Sequence, residues 1–272
     1  MAAMAHLLGS RAALLGPRLA AYFGSAEEAF GASFEQMLAS GILTEKGAQH
    51  YRKWYDPDLP QKIAAYCEGA QISLLGIQES AYPASLKEIA APPWVLYVKG
   101  KLPNLMACLA VVGSRKATGY GLSIAERFSR VLASEKLTIV SGGAYGIDAA
   151  AHEGALLGGG KTIAVLGSGL ARPYPARHKA LFERISETGA VISEFSPFTP
   201  PMAYQFPMRN RIIVGLSSGV LVVEAALKSG AMITAHLAAD ENRDVYAVPG
   251  PIESPTSKGT HALIKEGAHL VD

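Results

Sequence analysis

"IVSGGAYGIDAAAH", residues 139–152, joins a β-branched apolar run to a glycine turn and then to an alanine-rich stretch. That is the order of a buried strand, a tight turn and a helix. Ser141, Gly143 and Gly146 fall on the three positions of G-x-G-x-x-G, with serine in place of the first glycine; Gly142 lies between. Backbone N–H groups at such a turn hold anions, because glycine lets a phosphate approach and the helix start is unpaired and positive. A dinucleotide would also need an acid about 20 residues further on to hold its ribose hydroxyls. The next strand, "TIAVLGSGL" (162–170), ends in Gly167, Ser168 and Gly169 without one. The turn reads as a phosphate turn, and no nicotinamide or other cofactor is expected.

The same alternation runs outward from this stretch. Apolar strands read "CLAVVG" (108–113), "LTIVSGG" (137–143), "TIAVLGSG" (162–169), "AVISEF" (190–195), "GVLVVEA" (219–225) and "DVYAVPG" (244–250). Helical stretches such as "GLSIAERFSRVLASE" (121–135) and "RHKALFERISET" (177–188) separate them. Alternation of this kind predicts a doubly wound, mostly parallel α/β sheet with both faces covered. Its ligands belong beyond the carboxyl ends of the strands.

Composition narrows the function classes. The chain has 272 residues, 49% of them hydrophobic, and mean hydropathy +0.18, which favours a folded chain with a sizeable core. Net charge is +2, so a nucleic-acid site must come from local clustering of Lys and Arg. Two cysteines, Cys67 and Cys108, form no C-x-x-C pair, and no H-E-x-x-H occurs. Neither a disulfide framework nor a metal site is expected, and a reducing compartment fits. The first 26 residues lack acids and carry Arg11 and Arg18, a composition shared by transit peptides and by ordinary small-domain helices. No run approaches the ~18 apolar residues of a membrane span. A cytoplasmic chain without a membrane partner is expected.

Three parts are expected. Residues 1–66 read as short helices: Gly16-Pro17 suits a helix start, Ser25 an N-cap, and Gly41 a helix end. "LGPRLAAYF" has some likeness to a helix-hairpin-helix, and a plain helical domain fits equally. Residues 67–104 read as a proline-rich connector with one short strand, "WVLYVKG". Residues 105–272 carry the sheet.

Candidate site residues cluster at four strand ends. Gly113, Ser114, Arg115 and Lys116 follow the first strand; Ser141, Gly142, Gly143 and Gly146 the second; Gly167, Ser168 and Gly169 the third; and Lys228, Ser229, Gly230 and Thr234 the strand "GVLVVEA". Arg177 and Lys179 follow the third loop, and Arg209, Asn210 and Arg211 stand in "FPMRNRII". Arg209 and Arg211 suit a ligand or a structural carboxylate equally. Tyr145, Tyr174 and Phe206 are candidates for base stacking or for core packing. Glu224 is a candidate general acid–base, or a carboxylate that pairs with an arginine or caps a helix. His152 reads as packed.

Taken in order, "VVGSR", "IVSGGAYGIDAAAH", "AVLGSGL" with "YP", "ISEF", "FPMRNRII", "GVLVVEAALKSGAMITA", "VYAVPGPI" and "KGTHALIKEGA" strongly resemble the DprA/Smf family of DNA-processing proteins of bacterial natural transformation. The resemblance implies an extended Rossmann-like domain preceded by a small all-helical, SAM-like domain. It implies single-stranded DNA bound in a basic pocket at the glycine-rich edge, a homodimer, delivery of DNA to RecA, and no catalysis. It also implies that the terminal helix bearing Leu263 and Ile264 serves self-association, with the RecA contact overlapping it; read from the residues alone, the two apolar side chains suit covering the sheet equally. Phosphoribohydrolases of the LOG type share the core and are the alternative, but their P-G-G-x-G-T-x-x-E run is absent. Two further departures stand out. His178 occupies a position where the family commonly has Asn, and with the sequence stopping at Asp272 the winged-helix domain that many members carry is either absent or cut off.

Overall fold

The computed structural model describes residues 1–272, and six helices lead the chain. They are α1 (Ala2–Leu8), α2 (Ala12–Phe23), α3 (Ala26–Gly31), α4 (Phe34–Ala39), α5 (Glu45–Trp54) and α6 (Leu59–Gly69). Side-chain caps fix several starts. Ser25 Oγ accepts the Glu28 N–H at 3.0 Å, Thr44 Oγ1 accepts that of Gly47 at 3.2 Å, and Ser33 and Gln36 form a reciprocal capping box. Gly16 and Pro17 lie inside α2 rather than at its start, so this stretch is continuous helix and not a turn. The reason is tertiary. A Cβ on Gly16 would stand 2.1 Å from the Trp94 ring, so the glycine lets α2 lie against that indole.

Residues 67–104 contribute two strands where one was expected. β1 (Ile72–Gly76) and β2 (Val95–Gly100) pair antiparallel, with α7 (Ala84–Lys87) between them. All six later strands form: β3 (Cys108–Val112), β4 (Thr138–Ser141), β5 (Thr162–Val165), β6 (Ala190–Ser193), β7 (Gly219–Val222) and β8 (Asp244–Ala247). A two-residue β9 (His269–Leu270) is added at the edge. Helices α8 (Gly119–Ser134), α9 (Ile147–Leu157), α10 (Lys179–Thr188), α11 (Gln205–Gly215), α12 (Gly230–Asp240) and α13 (Lys258–Lys265) lie between these strands.

One sheet results, in the order β1-β2-β6-β5-β4-β3-β7-β8-β9. Every pair from β6 to β9 is parallel, while β2 joins β6 antiparallel with Tyr97 opposite Ser193. Every residue of β4 to β7 is buried, as helices on both faces require. The order reverses between β3 and β7, so the chain leaves these neighbours in opposite directions and opens a crevice at their carboxyl ends. The fold is the Rossmann-like, mostly parallel architecture expected.

β2 joins the helices to the sheet. Its Val95 and Tyr97 pack with Leu19, Met37 and Ile63 of the helical part, while Leu96 and Val98 enter the central core with Val140 and Ile192. The two-residue period of a strand sends alternate side chains to the two layers. Burial of each large side chain contributes roughly 1.5–3 kcal/mol.

Leu263 corrects an expectation. It is 4% exposed, inside the central core, so it is not available as a surface contact; its neighbour Ile264 is half-buried against that core. No helix is long and apolar enough to cross a membrane.

Candidate nucleic-acid interface

At the carboxyl end of the sheet the turns after β3, β4 and β7 are knitted together by their own backbones. Ser114 N–H donates to the Glu224 carbonyl at 2.7 Å, and Ile147 N–H donates to the Ser114 carbonyl at 3.2 Å. Gly146 has φ +76°, and a Cβ there would stand 2.2 Å from the Ser114 carbonyl oxygen. Only glycine combines that backbone with that approach.

A narrow cleft opens above this knot. Arg115, Gly142, Tyr145, Tyr174, Phe206 and Arg209 line it, with Ala144 and Pro175. The exposed Arg115 guanidinium lies 5.2 Å from the Phe206 ring centroid, within cation–π range. Phe206 in turn lies 5.5 Å from the Tyr174 ring. Tyr145 and Tyr174 are 40% and 41% exposed, so both present aromatic surface to solvent; Phe206 is half-buried. Lys116 is exposed, and its N–H donates to Ser114 Oγ at 3.1 Å.

Arg209 lies behind the cleft. It is 3% exposed and donates to the carbonyls of Gly142, at 2.6 Å, and Val165. Its Nε has no partner within the protein. Asp148, in the first turn of α9, completes the buried group. Its Oδ2 accepts the Ala144 N–H at 3.2 Å, and a Cβ on Gly142 would touch both Arg209 and Asp148. Burial pushes the Asp148 carboxyl upward, against the pull of Arg209, the Ala144 amide and Arg115. Burial likewise lowers Arg209, to about 10, which leaves it cationic at neutral pH. Asp148 escapes sequence reasoning. Its signal is an acid placed in the first helical turn directly after the glycine turn.

The remaining candidates have other surroundings. His178 Nδ1 lies 2.9 Å from the Gly143 carbonyl, which can only accept, so Nδ1 carries the proton and braces the turn. An asparagine at that position also carries an amide donor. Arg211 is held by two hydrogen bonds to Glu194, at 2.9 and 2.6 Å, and Asn210 reaches the Gly230 carbonyl at 3.4 Å. Ser141 Oγ donates to the Val111 carbonyl, and Ser168 Oγ to the Arg172 carbonyl. Gly113 and Gly167 make room for Ile147 and Phe206, and Gly169 for the Ser196 and Pro197 carbonyls. None of these lines the cleft. Neither do Lys228, Ser229, Gly230 and Thr234: Ser229 caps α12, and Thr234 Oγ1 donates to the Gly230 carbonyl. Arg177 is exposed on a short helical turn, and Lys179 faces a neighbouring groove.

Glu224, the candidate acid–base, is already engaged. Its carboxylate accepts Thr118 N–H at 2.9 Å and Thr118 Oγ1–H at 2.6 Å, bracing the N-cap of α8. His152 is fully buried. Thr162 Oγ1 gives its hydrogen to the Ile139 carbonyl, so His152 Nδ1 donates to Thr162 at 2.7 Å. Burial, reinforced by His178 and Arg209, lowers His152 to about 3.

Comparison with known proteins adds relatives. The family model for DNA recombination-mediator protein A matches residues 73–272. Protein Smf of Escherichia coli K12 is 45% identical over 231 residues, covering 84% of this chain and 62% of that protein's length. The X-ray structure of DNA processing protein A from Streptococcus pneumoniae superposes with a TM-score of 0.79 at 37% identity, over 96% of this chain and 92% of the other. DNA processing protein A from Helicobacter pylori, whose structure was described for its single-stranded DNA binding mode, gives a TM-score of 0.67 at 31% identity, over 74% and 90%.

Proposed function

The chain belongs to the DNA recombination-mediator protein A family, and from that premise we propose that it binds single-stranded DNA without reading its sequence. One observation carries this reading: a solvent-facing cation, Arg115, sits beside aromatic faces at the carboxyl edge of the sheet. Sequence-independent single-strand binding needs a positive point for the phosphate and π-faces for bases. Arg115 supplies the first, and Tyr145, Tyr174 and the partly covered Phe206 the second. The engaged Glu224 carboxylate supports a binding role over base hydrolysis. The same reading includes pairing of two copies and delivery of the strand to RecA, in DNA processing during transformation. A dimer would bring two clefts onto one strand and raise the effective affinity without adding any interaction within a cleft.

A gel shift with single- and double-stranded oligonucleotides at two salt concentrations tests the reading. Preferential retention of the single strand, weakening as salt rises, is expected. Equal retention of both forms overturns it. Light scattering tests the pairing: Ile264→Glu should lower the dimer fraction, and wild-type protein that stays monomeric at tens of micromolar removes pairing from the account.

A further inference from the structure

We propose that single-stranded DNA leaving the cleft continues across Tyr174 into a second groove, walled by helix α6 of the helical part, so that the helices take part in holding the strand. The inference rests on the single-strand reading above. The groove encloses about 600 Å³, within the ~300–1,000 Å³ of ligand sites. Tyr174 lines both the cleft and this groove, so the two adjoin at its ring. Its floor is apolar, with Leu166, Phe182 and Val191. On the far wall Tyr66 of α6 lines the groove, and its ring lies 5.1 Å from that of Phe198, edge to face.

Charge selects the occupant. Arg172 and Lys179 line the groove, are exposed, and have no ion-pair partner. Lys99 is paired with Glu183, so these two contribute no net charge. The groove therefore carries two uncompensated cations over an apolar floor, with one tyrosine at its entrance and another at its wall. A polyanion with flat apolar bases matches this pattern.

The test uses the full chain and labelled oligothymidylates of about 6 and about 20 nucleotides, one within and one beyond the ~4–16 nucleotides covered by a single-strand binding fold. Arg172→Glu should leave affinity for the short strand within about twofold and weaken the long one about tenfold. It should also make the salt dependence of the long strand shallower by roughly 0.7 for each phosphate that is no longer neutralised. Equal binding of the long strand by wild type and variant overturns the proposal, as does equal weakening of both lengths. Wild-type protein that binds neither length sinks the single-strand reading itself. A second measurement needs no variant: 5-iodouracil, placed at successive positions of the long strand and photo-cross-linked, should reach Tyr66 or Phe198 from one end. Cross-links confined to Tyr145, Tyr174 and Phe206 at every position overturn the proposal.

Discussion

The Arg115 side chain is exposed, with its guanidinium 5.2 Å from the Phe206 ring centroid, so removing it costs little stability. Arg115→Ala should keep the wild-type melting temperature, weaken binding to every single-stranded sequence alike, and make the salt slope shallower by about 0.7. Undiminished binding by the folded variant would place the phosphate site elsewhere. His152 makes the opposite kind of prediction, about stability and pH. Its folded value of about 3 lies below the 6.5 of an unfolded histidine, so the unfolded chain takes up the proton first. Stability from this group is complete above pH 6.5 and falls as pH drops toward 3. Between about pH 6.5 and 5 the loss should reach about 1–2 kcal/mol. His152→Gln, which keeps a donor for Thr162, should lose less over that interval in urea titrations. Parallel losses in the two proteins would count against a buried neutral imidazole.

At the scale of elements, Glu224 ties the end of β7 to the start of α8. Glu224→Gln would turn an amide N–H toward a donor and remove the charge that assists the cap. A cost of about 1–2 kcal/mol follows, or a melting temperature lower by ~2–8 °C. An unchanged melting temperature would contradict the cap. Release of base from a nucleoside monophosphate by wild type, abolished in the variant, would restore the enzymatic alternative. The strands from β3 to β8 are legible in the sequence because each is a short β-branched run closed by a glycine or proline turn. β1 and β9 are not. "ISLLG" ends in a glycine but has Ile72 as its one β-branched residue, and His269–Leu270 becomes a strand only by lying beside Tyr246 and Ala247. Gly16-Pro17 carries a local signal for a helix start that a distant neighbour, Trp94, overrides. The site divides similarly. Arg115, Gly142, Tyr145, Tyr174, Phe206 and Arg209 share one cleft; the loops after the strands point there for the first four, whereas Phe206 and Arg209 reach it from helix α11. That Gly146, Gly167 and Gly169 are required by close backbone and ring approaches depends on neighbours from other turns, which spacing along the chain does not show.

At the scale of the whole molecule, the helical part and the sheet share one apolar layer. Ile72, Trp94, Val95 and Tyr97 are buried against α1 to α6, so a chain beginning after residue 69 would expose all four. Such a truncated chain should aggregate or bind hydrophobic dyes on expression, whereas the full chain should melt in one transition. A soluble, monomeric truncation with an unchanged melting temperature would show the two parts to be independent. The pairing of β2 with β6 has a further consequence, felt while the chain is being made. Tyr97 meets Ser193, roughly a hundred residues downstream. At ~5–20 residues per second, β2 leaves the ribosome ~5–20 s before its partner. Through that interval the helices and the β1–β2 hairpin can already assemble, but Leu96 and Val98 face water and one edge of β2 has nothing to pair with. The nascent chain thus carries an open, sticky strand edge during much of its synthesis, and a chaperone acting on it would find its binding segment at residues 95–100.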